Sequence, residues 1–222
     1  KDFYKFYREK LIVKEAKPVP EVTYEEAQEL AMFGAQVLHP RSMVPVRKSG
    51  TPVRVKNSYN IQSPGSIIVE KHSGEVPPVC AITTVKNITL IDIVSSRMLG
   101  AAGFLAHIFN NFLKWNISID VIATSEVSVS LTVNTKSDLS GLIADLEQAS
   151  QVSVRKEKAI VTIICDAAHS SAILASGFKA LAEEGINVQM ISQGASKVNI
   201  SMIVDANEAD KTIQILHRAY FS

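Results

Sequence analysis

One segment of this chain occurs twice, and that repetition limits what it can fold into more than any other feature. The stretch ISIDVIATS (117–125), followed by VSVSLTV (127–133), returns as INVQMISQG (186–194) followed by VNISMIV (198–204). Residue 117 thus aligns with residue 186, an offset of 69 positions. That period is longer than the 20–50 residues of solenoid and propeller repeats. Each copy reads as strand, helix, strand, strand, helix. The first has strand material at Ile88–Val94, a helix over Gly103–Trp115, strands at 117–123 and 127–133, a helix near Leu139–Ala149 and a strand at Val152–Val154. The second has a strand at Ala159–Cys165, a helix over Ser170–Glu183, strands at 186–191 and 198–204, and a helix over Glu208–Ala219. This order fits a split β-α-β sandwich of the ferredoxin-like kind, built twice in an α+β fold. Val127, Val129, Leu131 and Val133 alternate with Ser128, Ser130 and Thr132, so one sheet face is expected in the core and the other outside it. The helix at 103–115 carries a wide apolar stripe of Phe104, Leu105, Ile108, Phe109, Phe112 and Leu113.

Ahead of the repeat the texture changes. All eight prolines lie between Pro18 and Pro78. Within this part Tyr24–His39 reads as a helix entered through a capping box of Thr23 and Glu26, with Ala27, Leu30, Ala31 and Val37 at helical spacing. Val46 and Val53–Val55 read as short strands, Ser63-Pro64-Gly65 as a turn, and Ser66–Glu70 as a further strand. Lys71–Pro78 is polar and ends in two prolines, which marks a linker. The expected division is therefore 1–78, 79–156 for the first copy and 157–222 for the second.

Composition excludes several classes. Lys and Arg number 23 against 22 Asp and Glu, a balance that predicts neither nucleic acid nor a membrane surface as partner. The mixed charges of residues 1–16 suit a solvated helix face or a frayed terminus. No apolar run approaches the roughly 20 residues of a membrane span, and no signal-peptide pattern opens the chain. The first residue is Lys1, not Met, which suggests a fragment. Cys80 and Cys165 both sit inside apolar runs, as buried reduced thiols would. No glycine cluster forms a phosphate loop. His39, His72, His107, His169 and His217 have no metal-ligand spacing to one another or to the cysteines, and Ser170 beside His169 reads as a helix start and not a nucleophile pair. No catalytic and no metal-ligating residue is expected.

A binding reading fares better. The turn MLGAAGFL (98–105) leads straight into a helix N-terminus, where free backbone N–H groups and the helix dipole favour a carboxylate. Gly100 and Gly103 allow close approach to the backbone. Asp120 stands on the same strand face as Ser118 in otherwise apolar surroundings, where a carboxylate can pair with an ammonium. An amino acid carries both charges. On spacing alone the signal is weak, since glycines before a helix are common and Asp120 also reads as a solvent-facing residue.

Several long motifs resemble those of aspartate kinases. LAMFGAQVLHPRS (30–42) is similar to the helix and turn that close the catalytic domain, and VRVKNSY (53–59) and PGSII (64–68) to the strands after it. RMLGAAGFLA (97–106), SIDVIATSEVSVSL (118–131) and QMISQGASKVNIS (189–201) resemble the family's two ACT domains. The likeness covers roughly 16–222 and is greatest to monofunctional, lysine-sensitive, plant-like members. It implies two ferredoxin-like ACT domains behind the C-terminal remnant of an α/β amino-acid-kinase domain, the second ACT domain borrowing a strand from Val79–Thr84. The parent enzyme would use ATP and Mg to phosphorylate L-aspartate in lysine, threonine and methionine synthesis, and would be feedback-inhibited, with L-lysine as effector at a homodimer interface between ACT domains. Met98, Ala101, Phe104 and Leu105 would line the effector site from the turn, and Ser118, Ile119 and Asp120 from the strand, with Asp120 on the ammonium. Gln36 would lie near the nucleotide, as in plant-like members. Localisation would be cytoplasmic, or the plastid stroma for a plant-type member.

The departures count too. Residues 1–13 do not resemble the family's Thr-Asp-Pro stretch that helps hold ATP, so this piece alone is expected to be inactive. Ala101 replaces more polar residues of relatives. Two alternatives stand beside the main reading. A stand-alone ACT sensor has no use for the proline-rich piece. A bifunctional aspartate kinase–homoserine dehydrogenase would be expected to continue beyond Ser222.

Overall fold

The computed structural model describes residues 12–34, 43–56, 60, 62–75, 77–98, 102–194 and 198–221. In chain order the elements are β1 (Glu21–Thr23), α1 (Tyr24–Met32), α2 (Met43–Ser49), β2 (Val53–Val55), β3 (Ser66–Val69) and β4 (Val79–Val94). Then follow α3 (Phe104–Lys114), β5 (Ile119–Thr124), β6 (Ser128–Asn134), α4 (Ser140–Glu147), β7 (Gln151–Cys165), α5 (Ser170–Glu183), β8 (Met190–Ser192), β9 (Asn199–Asp205) and α6 (Ala209–Phe221).

The proline-rich piece forms a three-stranded sheet in the order β1-β3-β2, parallel between β1 and β3 and antiparallel between β3 and β2. Helix α1 starts with the expected capping box: Glu26 N donates to Thr23 Oγ1 (3.2 Å) and Thr23 N to Glu26 Oε2 (2.7 Å). Glu26 has a second task invisible in the sequence, since the same Oε2 lies 2.9 Å from His72 Nε2. The helix is shorter than the sequence suggests. Gly34, at φ +111°, follows its last turn in a conformation that ordinary residues avoid. A Cβ there would stand 2.6 Å from the Thr84 carbonyl oxygen, so glycine is also what lets the chain pass β4. Residues 35–39 lie outside the described residues. Val46, expected as strand, sits in helix α2 instead. Pro45 does not prevent this, because it falls in the first turn, where a missing N–H costs nothing.

The repeat region is one six-stranded sheet in the order β5-β6-β4-β7-β9-β8. The short strands expected at 79–84, 88–94, 152–154 and 159–165 are the halves of two long ones. β4 has 16 residues and β7 has 15, paired antiparallel along their length. Their outer halves serve different lobes. Ile88–Val94 pairs with β6, whereas Lys158–Ile164 pairs with β9.

The ladder registers obey a local two-fold. Moving 70 positions along this ribbon turns the pair Leu90↔Arg155 into Val85↔Ile160, and Ile91↔Val154 into Thr84↔Val161. The side chains follow: Ser130 Oγ donates to Asp92 Oδ1 (2.6 Å) in the first lobe, and Thr162 and Ser201 share a hydroxyl bond (2.9 Å) at the matching place in the second. Near the centre each strand has a left-handed residue, Asn87 (φ 62°) and Glu157 (φ 57°), beside a register shift. Bulges of this kind bend a strand and raise its twist, and here both strands bend together.

Helices α3 and α4 cover one face of the first lobe, burying Ile108, Phe112, Leu142 and Leu146 against Ile91, Ile93, Val129, Leu131 and Val133. Helices α5 and α6 cover the second lobe, burying Ile173, Leu181, Ile213 and Leu216 against Val161, Ile163, Ile200, Met202 and Val204. The opposite sheet face, expected outside the core, is enclosed as well. There Ile88, Leu90, Val121, Ile160, Met190 and Ile203 form a further cluster. Thr132 and Thr162 are fully buried and Ser201 nearly so, with Thr132 Oγ1 accepting from Val121 N (3.1 Å). The bend explains this. It brings edge strands β5 and β8 together, where Ser192 Oγ donates to the Ile122 carbonyl (2.8 Å). Both cysteines are buried thiols outside any disulfide, and burial raises the Cys165 thiol to about 11.

The bend makes a prediction. Left-handed backbone costs a non-glycine residue about 1 kcal/mol, less for Asn. Glu157→Gly is expected to raise the urea midpoint, a gain of up to about 1 kcal/mol, with Asn87→Gly close to neutral.

Candidate functional site

The expected site residues fall into three groups. Met98 ends a short 3-10 turn (Ser96–Met98), Phe104 opens α3 and Ile119 opens β5. All three are partly buried and pack against the core of the first lobe, so the structure brings them together. Leu105, Ser118 and Asp120 take no part in that cluster and are exposed. Ala101 and Gln36 lie outside the described residues.

The apolar stripe of α3 is two faces. Ile108 and Phe112 point into the core, while Leu105 (39%), Phe109 (38%) and Leu113 (77%) are exposed at four-residue spacing. The helix begins at Gly103, whose φ of +89° is left-handed and which supplies no side-chain cap. Its first-turn N–H groups therefore depend on partners other than an N-cap side chain.

Asp120 sits in a β-bulge. Ile119 pairs with Val133 and Ile122 with Leu131, leaving Asp120 and Val121 together opposite Thr132. Val121 turns inward and is buried, and its N–H finds the Thr132 hydroxyl in place of a ladder partner. Asp120 turns outward on the edge strand. Partial desolvation holds its pKa above the ordinary carboxylate value, and no hydrogen bond or ion pair opposes that among the described residues.

The second copy shows what Asp120 lacks. The repeat aligns Asp120 with Gln189. Gln189 is held at both ends: Arg155 Nη1 donates to its Oε1 (3.3 Å), and its Nε2 donates to Asp205 Oδ1 (3.0 Å). Arg155 also pairs with Asp92, and Lys158 with Asp205, so the charges close among themselves. Under the two-fold of the ribbon Arg155 corresponds to Val85, and Asp205 to Asn134. The first copy thus has a carboxylate where the second has an amide, and a valine where the second has a guanidinium. Sequence comparison of the repeats aligns Asp120 with Gln189, but the two partners of Gln189 come from other strands and emerge only from the pairing.

Among the described residues no group of three or more His, Cys, Asp or Glu is placed to hold a metal ion, and no helix is long and apolar enough to cross a membrane. A cleft of about 540 Å³ lies beside the linker, lined by Pro18, Glu21, His72, Pro77, Cys80 and Phe221 among others. Three of its polar groups are engaged with carboxylates: His72 pairs with Glu21 and Glu26, and Ser73 with Glu21.

Comparison with known proteins agrees with this architecture. Residues 6–57 match the amino acid kinase family, which extends the likeness upstream of residue 16, and residues 166–220 match an ACT domain. Aspartokinase 1, chloroplastic, of Arabidopsis thaliana is 48% identical over 219 residues, covering 95% of this chain and 38% of that protein. Escherichia coli aspartokinase III superposes with a TM-score of 0.87 in its complex with aspartate and ADP, at 33% identity, covering 100% of this chain and 50% of that one. Its complex with lysine and aspartate gives 0.81 at 32% identity, covering 99% of this chain and 49% of that one. A domain of Porphyromonas gingivalis W83, described as a C-terminal regulatory domain of aspartate kinase, is 31% identical at a TM-score of 0.56, covering 64% of this chain and 97% of that one. The chain spans well under two thirds of the full-length relatives. With two lobes built on a shared ribbon, a kinase-type sheet ahead of them and these likenesses together, the chain belongs to the aspartokinase family and comprises part of its kinase domain followed by ACT domains.

Proposed function

We propose that this region is the feedback sensor of an aspartate kinase, with L-lysine as effector in the first ACT domain. One observation carries the reading: Asp120 is a partly desolvated carboxylate that meets no cation among the described residues, at the position where the second copy is neutral and already clamped. An effector ammonium supplies the missing charge. Its carboxylate is received by the N-terminus of α3, which Gly103 leaves without a side-chain cap. Met98, Phe104 and Ile119 are the apolar neighbours of the effector, Leu105 and Ser118 its rim, and Ala101 and Gln36 keep by resemblance their places at the effector and the nucleotide. The lysine complex of the Escherichia coli relative supports the choice of effector. The second ACT domain is structural in this reading, because Arg155 fills the corresponding place from within.

The division into a kinase piece (1–78), a first ACT domain (79–156) and a second (157–222) completed by strand 79–84 draws support from the pairing of Val79–Lys86 with Ala159–Cys165. The parent activity is phosphorylation of L-aspartate by ATP with Mg, at the start of lysine, threonine and methionine synthesis. The upstream part of the kinase domain is the element that feels the sensor. The ADP complex of the bacterial relative supports the nucleotide, and the chloroplastic Arabidopsis relative supports the plastid as compartment. The homodimer forms through the first ACT domain. Leu105, Phe109 and Leu113 give α3 an uncovered apolar face next to an edge strand, which suits a symmetric partner.

Three measurements follow. Calorimetric titration with L-lysine should show saturable binding that Asp120→Ala abolishes, and saturation at about 100 times Kd should add about 2.7 kcal/mol of stability. Binding without loss in the variant moves the effector elsewhere. The ligand-free chain should respond to pH with a definite sign. Because the folded pKa of Asp120 is raised, this group favours folding at acid pH and loses that contribution as pH rises through the folded value. Asp120→Asn should therefore be more stable than the parent at pH 7, with the gain shrinking in urea titrations as the pH is lowered through the titration of this group. Finally, Phe109→Asp with Leu113→Asp should convert a dimer to a monomer in light scattering, at unchanged helix content.

A further inference from the structure

The residue that ends helix α1 is not confined to the kinase piece. Phe33 packs against the cluster between the two lobes, together with Ile88, Leu90, Val121, Ile160, Met190 and Ile203. Its carbonyl accepts a hydrogen bond from Thr83 Oγ1 on β4 (2.5 Å). One turn earlier, Glu29 pairs with Asn199 Nδ2 on β9. One residue later, Gly34 passes the Thr84 carbonyl at a distance only glycine allows. Helix α1 is thus tied to the sheet by packing, by a backbone bond and by a side-chain bond, all within six residues.

What makes this more than an anchor is the identity of the cluster. Val121 belongs to it, and Val121 is the inward half of the bulge whose outward half is Asp120. A ligand that draws Asp120 outward or flattens the bulge displaces Val121 in the closely packed cluster that Phe33 abuts. Close-packed interiors pass such displacements on and do not absorb them. The second contact between β5 and the other lobe, Ser192 to the Ile122 carbonyl, is on the residue next to the bulge and limits how far the strand can move alone.

We infer that Phe33 is the positioning residue that couples the effector strand to helix α1, and hence to the kinase domain that α1 belongs to. The inference rests on effector binding at Asp120, so its test must separate the two. The test is amide hydrogen exchange of residues 24–34 in this 222-residue chain, with and without saturating L-lysine, alongside calorimetric affinity. In the parent chain lysine should change protection in α1 by about fivefold or more. Phe33→Ala should bind lysine with affinity within about threefold of the parent and lose that change, and Phe33→Leu should restore part of it, since volume is what the cluster requires. Should Phe33→Ala fail to fold, Thr83→Val, which removes only the bond to the Phe33 carbonyl, decides the matter by the same readout. Lysine binding with no response in α1 of the parent overturns the coupling and leaves the effector site standing. An unchanged response in Phe33→Ala overturns the role of Phe33. Absence of lysine binding overturns both.

Discussion

The antiparallel pairing of β4 with β7 is the interaction on which the rest of this structure depends. Each strand is apolar on both faces because each face is covered. Val161 and Ile163 lie under the helices of one lobe, and Ile160 lies in the cluster between lobes. The matching set in β4 is Ile91 and Ile93 on one face, Ile88 and Leu90 on the other. A ribbon of this length cannot stay flat and bury both faces. It bends at Asn87 and Glu157, where left-handed backbone is accepted in exchange for closing β5 onto β8. The enclosed polar face, with Thr132, Thr162 and Ser201 hydrogen-bonded inside, follows from that bend and not from any local preference of the strands.

The same symmetry that builds two lobes also makes their difference informative. A two-fold ribbon offers each lobe an equivalent position on its edge strand. In one lobe the position is filled by Gln189 and closed by Arg155 and Asp205. In the other it holds Asp120, with a valine and an asparagine in place of the two charges. A partly desolvated carboxylate that meets no cation among the described residues is the kind of group a ligand's positive charge can complete. The asymmetry therefore favours a sensor in one lobe and a scaffold in the other, and the scaffold is the lobe that touches helix α1 through Asn199.

Much of this was legible in the residues. The repeat and the helix starting at the Thr23–Glu26 capping box both follow from spacing and turn chemistry. What was not legible had one physical cause, namely contacts between residues far apart in sequence. Periodicity reports how a strand is half-buried, so it split β4 and β7 at their polar centres, Lys86–Asn87 and Arg155–Lys158, and left the polar face of β6 outside. It assigned Val46 to a strand, although Pro45 is tolerated in the first turn of helix α2 and Val46 follows it there. It showed a single wide stripe on α3, whereas Ile108 and Phe112 are buried and Leu105, Phe109 and Leu113 are exposed. The second role of Glu26, as partner to His72, had no sequence signal at all.

The shared ribbon has a consequence for how such a region can change over evolutionary time. Because β4 and β7 each serve both lobes, with the first lobe inserted between their outer halves, no single cut in the chain releases either lobe intact. The first lobe runs unbroken from Ile88 to Arg155, so removing it takes two cuts, one at the centre of each long strand. Exchange by that route interrupts the ribbon that both lobes stand on, whereas substitution leaves it whole. Asp120 and Gln189 illustrate the second path: two lobes on one ribbon, specialised one residue at a time.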